Sequence, residues 1–450
     1  MVSVGQHENV EILSYSEVEG VSGFVGNFKV TVRKKARHVK EDLCTGCGLC
    51  QEKCPAKKIP SEFDAGMGMR TAIYMPFAQA VPRIPVIDTA SCRYFQTGKC
   101  GVCAKVCPRQ AIDYEQEDQL VELEVGTIVV TTGFELFDCS RTTQYGYGKY
   151  DNVLDSMQFE RLVNASGPTG GRIVLKDGRE PEAVAILHCI GSRDENYNRY
   201  CSRVCCMYSL KLAHLVKDTT KAQVYEFYID MRAFGKGYEE FYERVQEEGV
   251  IFVHGKPAEV VPHNGRLLVK AEDTSLGRLV QIPVDMVVLS AGLEPRHDAA
   301  DVAHLFGLSR SADGFFLEKH PKLAPVETAS NGVFIAGACQ GPKDIPDTVA
   351  QAGAAAAAAL VMMDKGKVTL EPSIAQVDIR RCSGCGECIV ACPYSALELV
   401  DGHAQVNETA CKGCGTCVGH CRSKALSLLH FTDEQLVAEM QGALRELEVA

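Results

Sequence analysis

The residues of this chain best placed to do chemistry are its cysteines, 22 of them in 450 residues, most of them in four short runs. Near the end of the sequence, Cys382-x2-Cys385-x2-Cys388-x3-Cys392-Pro393 is followed by Cys411-x2-Cys414-x2-Cys417-x3-Cys421. This spacing is that of paired [4Fe–4S] cubes: three close thiolates hold one cube and the fourth crosses to its neighbour. One set is then Cys382, Cys385, Cys388 and Cys421, and the other is Cys411, Cys414, Cys417 and Cys392. Gly384, Gly386, Gly413 and Gly415 allow the tight turns between ligands and leave backbone N–H groups facing sulfur. Ala396 to Leu399 and Ala425 to Leu428 read as strands at matching offsets, which makes the module an internal duplication.

A second module lies near the start. Cys44-x2-Cys47-x2-Cys50-x3-Cys54-Pro55 keeps the same spacing, and its partner is looser, Cys92-x7-Cys100-x2-Cys103-x3-Cys107-Pro108. The crossing rule groups Cys44, Cys47, Cys50 and Cys107, and separately Cys92, Cys100, Cys103 and Cys54. Zinc sites are isolated four-ligand sets, often with His, and fit neither duplicated module. Disulfides require an oxidising compartment, whereas Met1 to His7 shows no basic region followed by an apolar one. The longest apolar run, Ala352 to Met363, is mostly Ala and short of the ~18 residues of a membrane helix. The expectation is a cytoplasmic chain with reduced thiols and no direct membrane insertion. With 46% hydrophobic and 23% charged residues the composition is that of a folded protein, and a net charge of −11 argues against a nucleic-acid partner.

The elements around these modules must position them. Val10 to Val32 reads as strands, with Phe28, Val30 and Val32 alternating with Lys29 and Thr31 after the turn Gly26-Asn27. Val121, Leu123 and Val125 alternate with Glu122 and Glu124 beyond the module, so the module is predicted to be inserted between strands that pair across it. The buried strand Thr127 to Gly133 has an echo in Asp285 to Gly292, and Asn331 to Ala338 is a third strand running into a Gly turn, followed by a helix over Thr348 to Met363. Two readings stand for this last piece: a plain strand–turn–helix, or the face of a flavin site whose polar edge meets the turn and the helix start. About Pro181 to Pro283 reads as an α/β unit. After its strand Val184 to Leu187, a nicotinamide-binding domain would carry Gly-x-Gly-x-x-Gly; His188 to Asp194 stands there instead. Cys189, Cys201, Cys205 and Cys206 gather at this point, before an apolar helix (Met207 to Val216), as ligands of a fifth cluster or as buried or redox-active free thiols. His188 and His214 read as structural, and Thr432 to Glu448 as an amphipathic helix packing on a neighbour.

The sequence resembles HdrA, the iron–sulfur flavoprotein subunit of heterodisulfide reductase. The resemblance runs nearly end to end and rests on Tyr15 to Val18, Gly26 to Val30, Cys44 to Pro55, Cys189 to Asp194, Tyr200 to Cys206 and Gly341 to Gln351. It implies an α/β fold, part of a thioredoxin-reductase-like flavoprotein, with an inserted and a C-terminal two-cluster ferredoxin-like α+β domain. The expected division is 1–37, first strands of the flavin-type domain; 38–118, inserted ferredoxin; 119–180, flavin-type domain continued; 181–285, the fingerprint-free unit; 286–370, flavin-facing turn and helix; 371–430, C-terminal ferredoxin; and 431–450, a terminal helix. The resemblance also implies the fifth cluster and FAD at Gly133, Gly337, Ala338, Asp347, Thr348 and Gln351. Family members begin with a Gly-rich ADP-binding βαβ unit that is not among these residues, so this chain alone is expected to bind FAD poorly.

The implied function is an electron-transfer subunit of a soluble complex with HdrB- and HdrC-like reductase subunits, a hydrogenase- or formate-dehydrogenase-type donor, and ferredoxin. Flavin-based bifurcation would send one electron to ferredoxin and one to a disulfide acceptor. Neither ferredoxin module supplies an obvious nucleophile or general base for substrate chemistry, and the catalytic residues stay unknown at this point. Alternatives are a stand-alone NAD(P)H-dependent reductase, which NADPH bleaching of the clusters would reveal; a component of a quinone-linked membrane complex, which a copurifying haem subunit would reveal; and a nonenzymatic scaffold, which reversible cluster reduction would exclude.

Overall fold

The computed structural model describes residues 2–369 and 372–447. The expected boundary at 370 and 371, and Glu448, lie outside them.

Strand β1 (Ser16–Phe24) turns through Val25 and Gly26 into β2 (Asn27–Lys34). In β2 the inward Phe28, Val30 and Val32 are buried, the period of two that the sequence shows. Residues 10–15 lie outside both strands. β3 (Gln119–Val125) pairs antiparallel with β2 from Phe28↔Val125 to Lys34↔Gln119. The chain therefore leaves the sheet at Lys34 and re-enters directly opposite at Gln119, and everything between is an insertion closed at its neck. There the N–H of Ala36 donates to Asp118 Oδ1 at 2.8 Å, and Val39 bridges Ile112. The insertion carries three one-turn helices, α1 (Leu49–Lys53), α2 (Arg93–Thr97) and α3 (Val102–Val106). β4 (Ile128–Val130) follows β3.

A five-stranded parallel sheet forms the largest core. Its strands are β5 (Val153–Asp155), β6 (Ala183–Ile190), β7 (Gln223–Tyr228), β8 (Ile251–His254) and β12 (Met286–Ala291), in the order β5-β12-β6-β7-β8. Between β8 and β12 runs an antiparallel meander, β9 (Pro257–His263), β10 (Arg266–Asp273) and β11 (Arg278–Val284). Every residue of β6 and β12 is buried, because the two faces are covered by different layers. Ala185, Leu187, Val287 and Leu289 pack on the meander. Val184, Ile186, Met286 and Val288 pack on helices α4 (Ser156–Val163) and α5 (Cys205–Thr219). This sheet differs from the expected division: Val153–Asp155 and Met286–Ala291, assigned from sequence to the flavin-type domain, belong to the α/β unit. A buried parallel strand carries the same continuous apolar run in either sheet, and its partner is not written into it.

β13 (Val333–Ile335) lies parallel to β4. It leads through Gly337 into α6 (Ile345–Lys365), which starts earlier than Thr348 because Asp344 caps it, accepting from the Asp347 N–H at 2.9 Å, and Pro346 sits in its first turn. With 21 residues, α6 is long and apolar enough to cross a membrane by length and composition alone, a length the run Ala352 to Met363 understates. The C-terminal module pairs β14 (Ala375–Val377) with β17 (Leu426–Leu428), and β15 (Leu397–Val400) with β16 (His403–Val406), so the duplicated strands each take a separate partner. It also holds α7 (Glu387–Val390) and α8 (Thr416–His420). The last helix, α9 (Asp433–Leu447), forms as expected, with Leu436, Val437, Met440 and Leu444 exposed on it.

Candidate metal centres

The four runs build four small cavities, each framed by three thiols of one run and one thiol of its partner. Cys44, Cys47, Cys50 and Cys107 line the first with Val39, Ala111 and Ile112. Cys54, Cys92, Cys100 and Cys103 line the second with Ile73, Ile87 and two tyrosines. Cys382, Cys385, Cys388 and Cys421 surround the third, and Cys392, Cys411, Cys414 and Cys417 the fourth. The crossing has a local cause. The third Cys of the tightly spaced runs sits on a one-turn helix entered through a left-handed glycine (Gly48, Gly386, Gly415). The helix is spent by the fourth Cys; Cys54 caps α1 in extended backbone and carries its sulfur past the end. Two further glycines are demanded by close approach: a Cβ on Gly384 would lie 2.3 Å from the Gly402 oxygen, and one on Gly413 1.8 Å from the Ser373 oxygen.

These sites suit a polynuclear sulfur-rich group. Among the described residues no three His, Cys, Asp or Glu side chains converge as one metal ion would require, while the thiols ring a volume. Backbone N–H groups point at sulfur. Ala111 donates to Cys107 Sγ at 3.3 Å, Ala396 to Cys392 at 3.3 Å and Ala425 to Cys421 at 3.2 Å, each four residues beyond the crossing ligand. A Cys-x3-Ala repeat in the sequence marks this contact, and the sequence reading missed it. The first run departs from it, having Lys58 there, and the Cys54 thiol donates to the Ala56 carbonyl instead. Burial pushes the Cys50 and Cys417 thiols up to about 11, so ligation there means driving off protons held by a dry site.

The structure also sets Cys189 against Cys205, with Cys201 and Cys206 close to Cys205; the Cys206 thiol donates to the Asp230 carbonyl at 3.6 Å. Cys189 lies near the end of β6 in left-handed backbone (φ 57°), Cys205 and Cys206 open α5, and Cys201 receives the Arg203 N–H at 3.3 Å. The Cys205 thiol donates to Cys189, and with the charges of His188, Arg193 and Lys256 this lowers Cys189 to about 6. Three buried polar atoms flanking Cys189 have no partner: His188 Nδ1, Ser192 Oγ and Arg193 Nη1. Each of these cations has a carboxylate partner, Glu226 for His188, Asp230 for Arg193 and Asp194 for Lys256, so what an anionic group with several acceptor sulfurs would relieve is the unpartnered polar atoms. His188 Nε2 is 2.9 Å from the buried Glu226 carboxylate and His214 Nδ1 2.8 Å from Glu248, the structural roles expected for both. The turn after β6 is filled where a dinucleotide would need space: a Cβ on Gly191 would meet the Phe137 ring at 2.1 Å. Cys205→Ala is expected to remove one cluster and leave the other four, which draw no ligand from here. EPR of the reduced variant checks this, and an unchanged spectrum would make these thiols structural or redox-active.

The residues expected to face a flavin gather at the ends of β4 and β13. Gly133 and Gly337 have φ of 80° and 82°, and Thr348 Cγ2 would touch a Cβ on Gly337 at 3.4 Å. The Gly337 N–H donates to Gln351 Oε1 at 2.8 Å. Asp347 pairs with Arg203 at 2.7 Å, and since Arg203 lies between Cys201 and Cys205, this ion pair ties the start of α6 to the four-thiol site.

Residues 374–422 match a 4Fe-4S dicluster domain family, and residues 38–57 a 4Fe-4S binding domain family. Over 451 aligned residues the sequence is 50% identical to the HdrA polypeptide of the H(2):CoB-CoM heterodisulfide,ferredoxin reductase of Methanothermobacter marburgensis, covering 99% of this chain and 68% of that one. The chain belongs to the HdrA family of heterodisulfide reductase subunits. A second HdrA member, from the H(2)/formate:CoB-CoM heterodisulfide,ferredoxin reductase of Methanococcus maripaludis, is 47% identical over 90% of this chain and 62% of its own. Among solved structures, thioredoxin reductase of T. acidophilum aligns with 66% of this chain and 86% of its own at 12% identity, with a TM-score of 0.37, too low to carry an argument. Membership of the HdrA family makes this chain an oxidoreductase subunit with [4Fe–4S] domains, and the strand pairing across residues 34 and 119 shows how one of them is set into an α/β scaffold.

Proposed function

We propose that this chain is the electron-carrying iron–sulfur subunit of a heterodisulfide-reductase-type complex, with clusters on the sixteen thiols of the two modules and a fifth on Cys189, Cys201, Cys205 and Cys206. The observation that carries it is the framing of each module cavity by three thiols of one run and one of the other. Bound clusters supply one-electron transfer. The chain's part is to hold them dry, offer N–H groups to their sulfurs, and tie the four-thiol site to the flavin-facing helix through Arg203 and Asp347. FAD would lie against Gly133, Gly337, Ala338, Asp347, Thr348 and Gln351. The names of the relatives support partners of three kinds: the other reductase subunits, a hydrogen- or formate-oxidising donor, and ferredoxin. Electron bifurcation at the flavin is part of this reading, as is a reducing cytoplasm that keeps the ligands as thiols.

The anaerobically reconstituted chain is expected to hold about twenty iron atoms and as much acid-labile sulfide, four of each per cube. A value near sixteen removes the fifth cluster, and zinc in place of iron overturns the reading.

A further inference from the structure

The loose run Cys92-x7-Cys100 breaks a spacing that the other three runs keep. Five of its seven intervening residues form α2, which opens directly after Cys92 and closes on Gly98 in left-handed backbone. The helix carries Tyr94 to the wall of the second cavity, where its ring stacks on Tyr114 with centroids 3.7 Å apart and planes at 15°. Phe95 meets the edge of the same Tyr114 ring at 6.0 Å. Held between them, Tyr114 sets its hydroxyl 3.0 Å from Cys103 Sγ. Elsewhere in the two modules the side-chain hydroxyls near sulfur are longer and aliphatic: Thr416 Oγ1 to Cys414 at 3.4 Å and Ser423 Oγ to Cys421 at 3.5 Å. A ligating thiolate has no proton to give, so with a cluster bound only the phenol can be the donor.

We propose that Tyr114 donates a hydrogen bond to the Cys103 sulfur and raises the reduction potential of the cluster at Cys54, Cys92, Cys100 and Cys103 above that of its module partner, and that the five extra residues between Cys92 and Cys100 hold the Tyr114 ring in place. This rests on the ligand assignment above. The physical ground is that reduction adds negative charge to the cube and its sulfurs, so a donor aimed at one of those sulfurs favours the reduced form; hydrogen bonds to sulfur are among the determinants of cluster potential. Tyr114 is a positioning and tuning residue. It makes this cluster the better electron acceptor of the inserted pair.

The test is a redox titration of the full reconstituted chain followed by EPR. Tyr114→Phe deletes one oxygen and keeps the stack on Tyr94. It is expected to lower the midpoint of one cluster so that its reduced fraction relative to oxidised falls about tenfold at fixed potential, about 59 mV for a one-electron couple, with the other midpoints unmoved. Incorporating 3-fluorotyrosine at 114, a stronger donor, is expected to move the same midpoint upward, and this arm stands if the phenylalanine variant fails to fold. Tyr94→Phe, which keeps the stack, is expected to leave the midpoint alone. A loaded Tyr114→Phe chain with every midpoint unchanged overturns the proposal. Cys103→Ala with unchanged iron content overturns instead the ligand assignment, whatever Tyr114 does.

Discussion

Cys107→Ala is expected to strip the cluster whose other three thiols belong to the distant run Cys44, Cys47 and Cys50, and to spare the one that uses Cys107's own neighbours Cys100 and Cys103. The four sulfurs line one cavity although Cys107 lies 57 positions beyond Cys50 in the sequence. Losing one thiolate leaves a cube with an open corner in a cavity lined by Val39, Ala111 and Ile112, which offer no replacement ligand. The pairwise pattern is the decisive reading, because residues of one cluster act as a unit and their losses do not add. Cys44→Ala with Cys107→Ala is expected to lose about four irons, no more than either alone, whereas Cys44→Ala with Cys54→Ala loses about eight. If each run held its own cluster, Cys44 with Cys54 would lose four and Cys44 with Cys107 eight. Iron and labile sulfide per chain decide between them.

The second expected result is weak FAD binding by residues 1–450 alone. The described residues offer a flavin the Gly133 and Gly337 turns and the start of α6. Among them β4 has one strand partner, β13, so its other edge is unpaired in the sheet and Val129 is 42% exposed. No Gly-rich strand–helix turn stands beside that edge among the described residues to meet a pyrophosphate with N–H groups and a helix N-terminus. Each hydrogen bond to so charged a group is worth roughly 1.5–3 kcal/mol, so two missing ones weaken binding on the order of a hundredfold or more. Flavin released on denaturation is expected well below one per chain. Supplying a polypeptide with such a βαβ unit, fused or separate, is expected to restore it. One tightly held FAD in the chain alone would show that the remaining contacts suffice.

What the sequence determined by itself was whatever depends on a few consecutive residues. The sulfurs of Cys44, Cys47 and Cys50 can only fall on one tight loop and one turn of helix, so ligand type and spacing already specify the cavity. Alternation in Phe28 to Val32 and again in Val121 to Val125 requires two half-buried strands, and pairing them places the module between. The cysteines left over by the four runs, followed by an apolar helix, were legible as a gathering but not as a charged site. Arg193 and Lys256 reach Cys189 from 4 and 67 positions away in the sequence.

Only the tertiary structure decided which like-looking partner each element takes. Met286–Ala291 reads as a twin of Thr127 to Gly133, yet it enters the five-stranded sheet, because continuous apolar strands are interchangeable until helices and a meander cover their faces. The Gly337 N–H went to a glutamine 14 residues on, since its acceptor depends on what lies across the gap rather than on local propensity. The role of the seven residues after Cys92 was equally hidden. Their spacing read only as a looser run until the fold set Tyr94 against Tyr114 and the Tyr114 hydroxyl on Cys103.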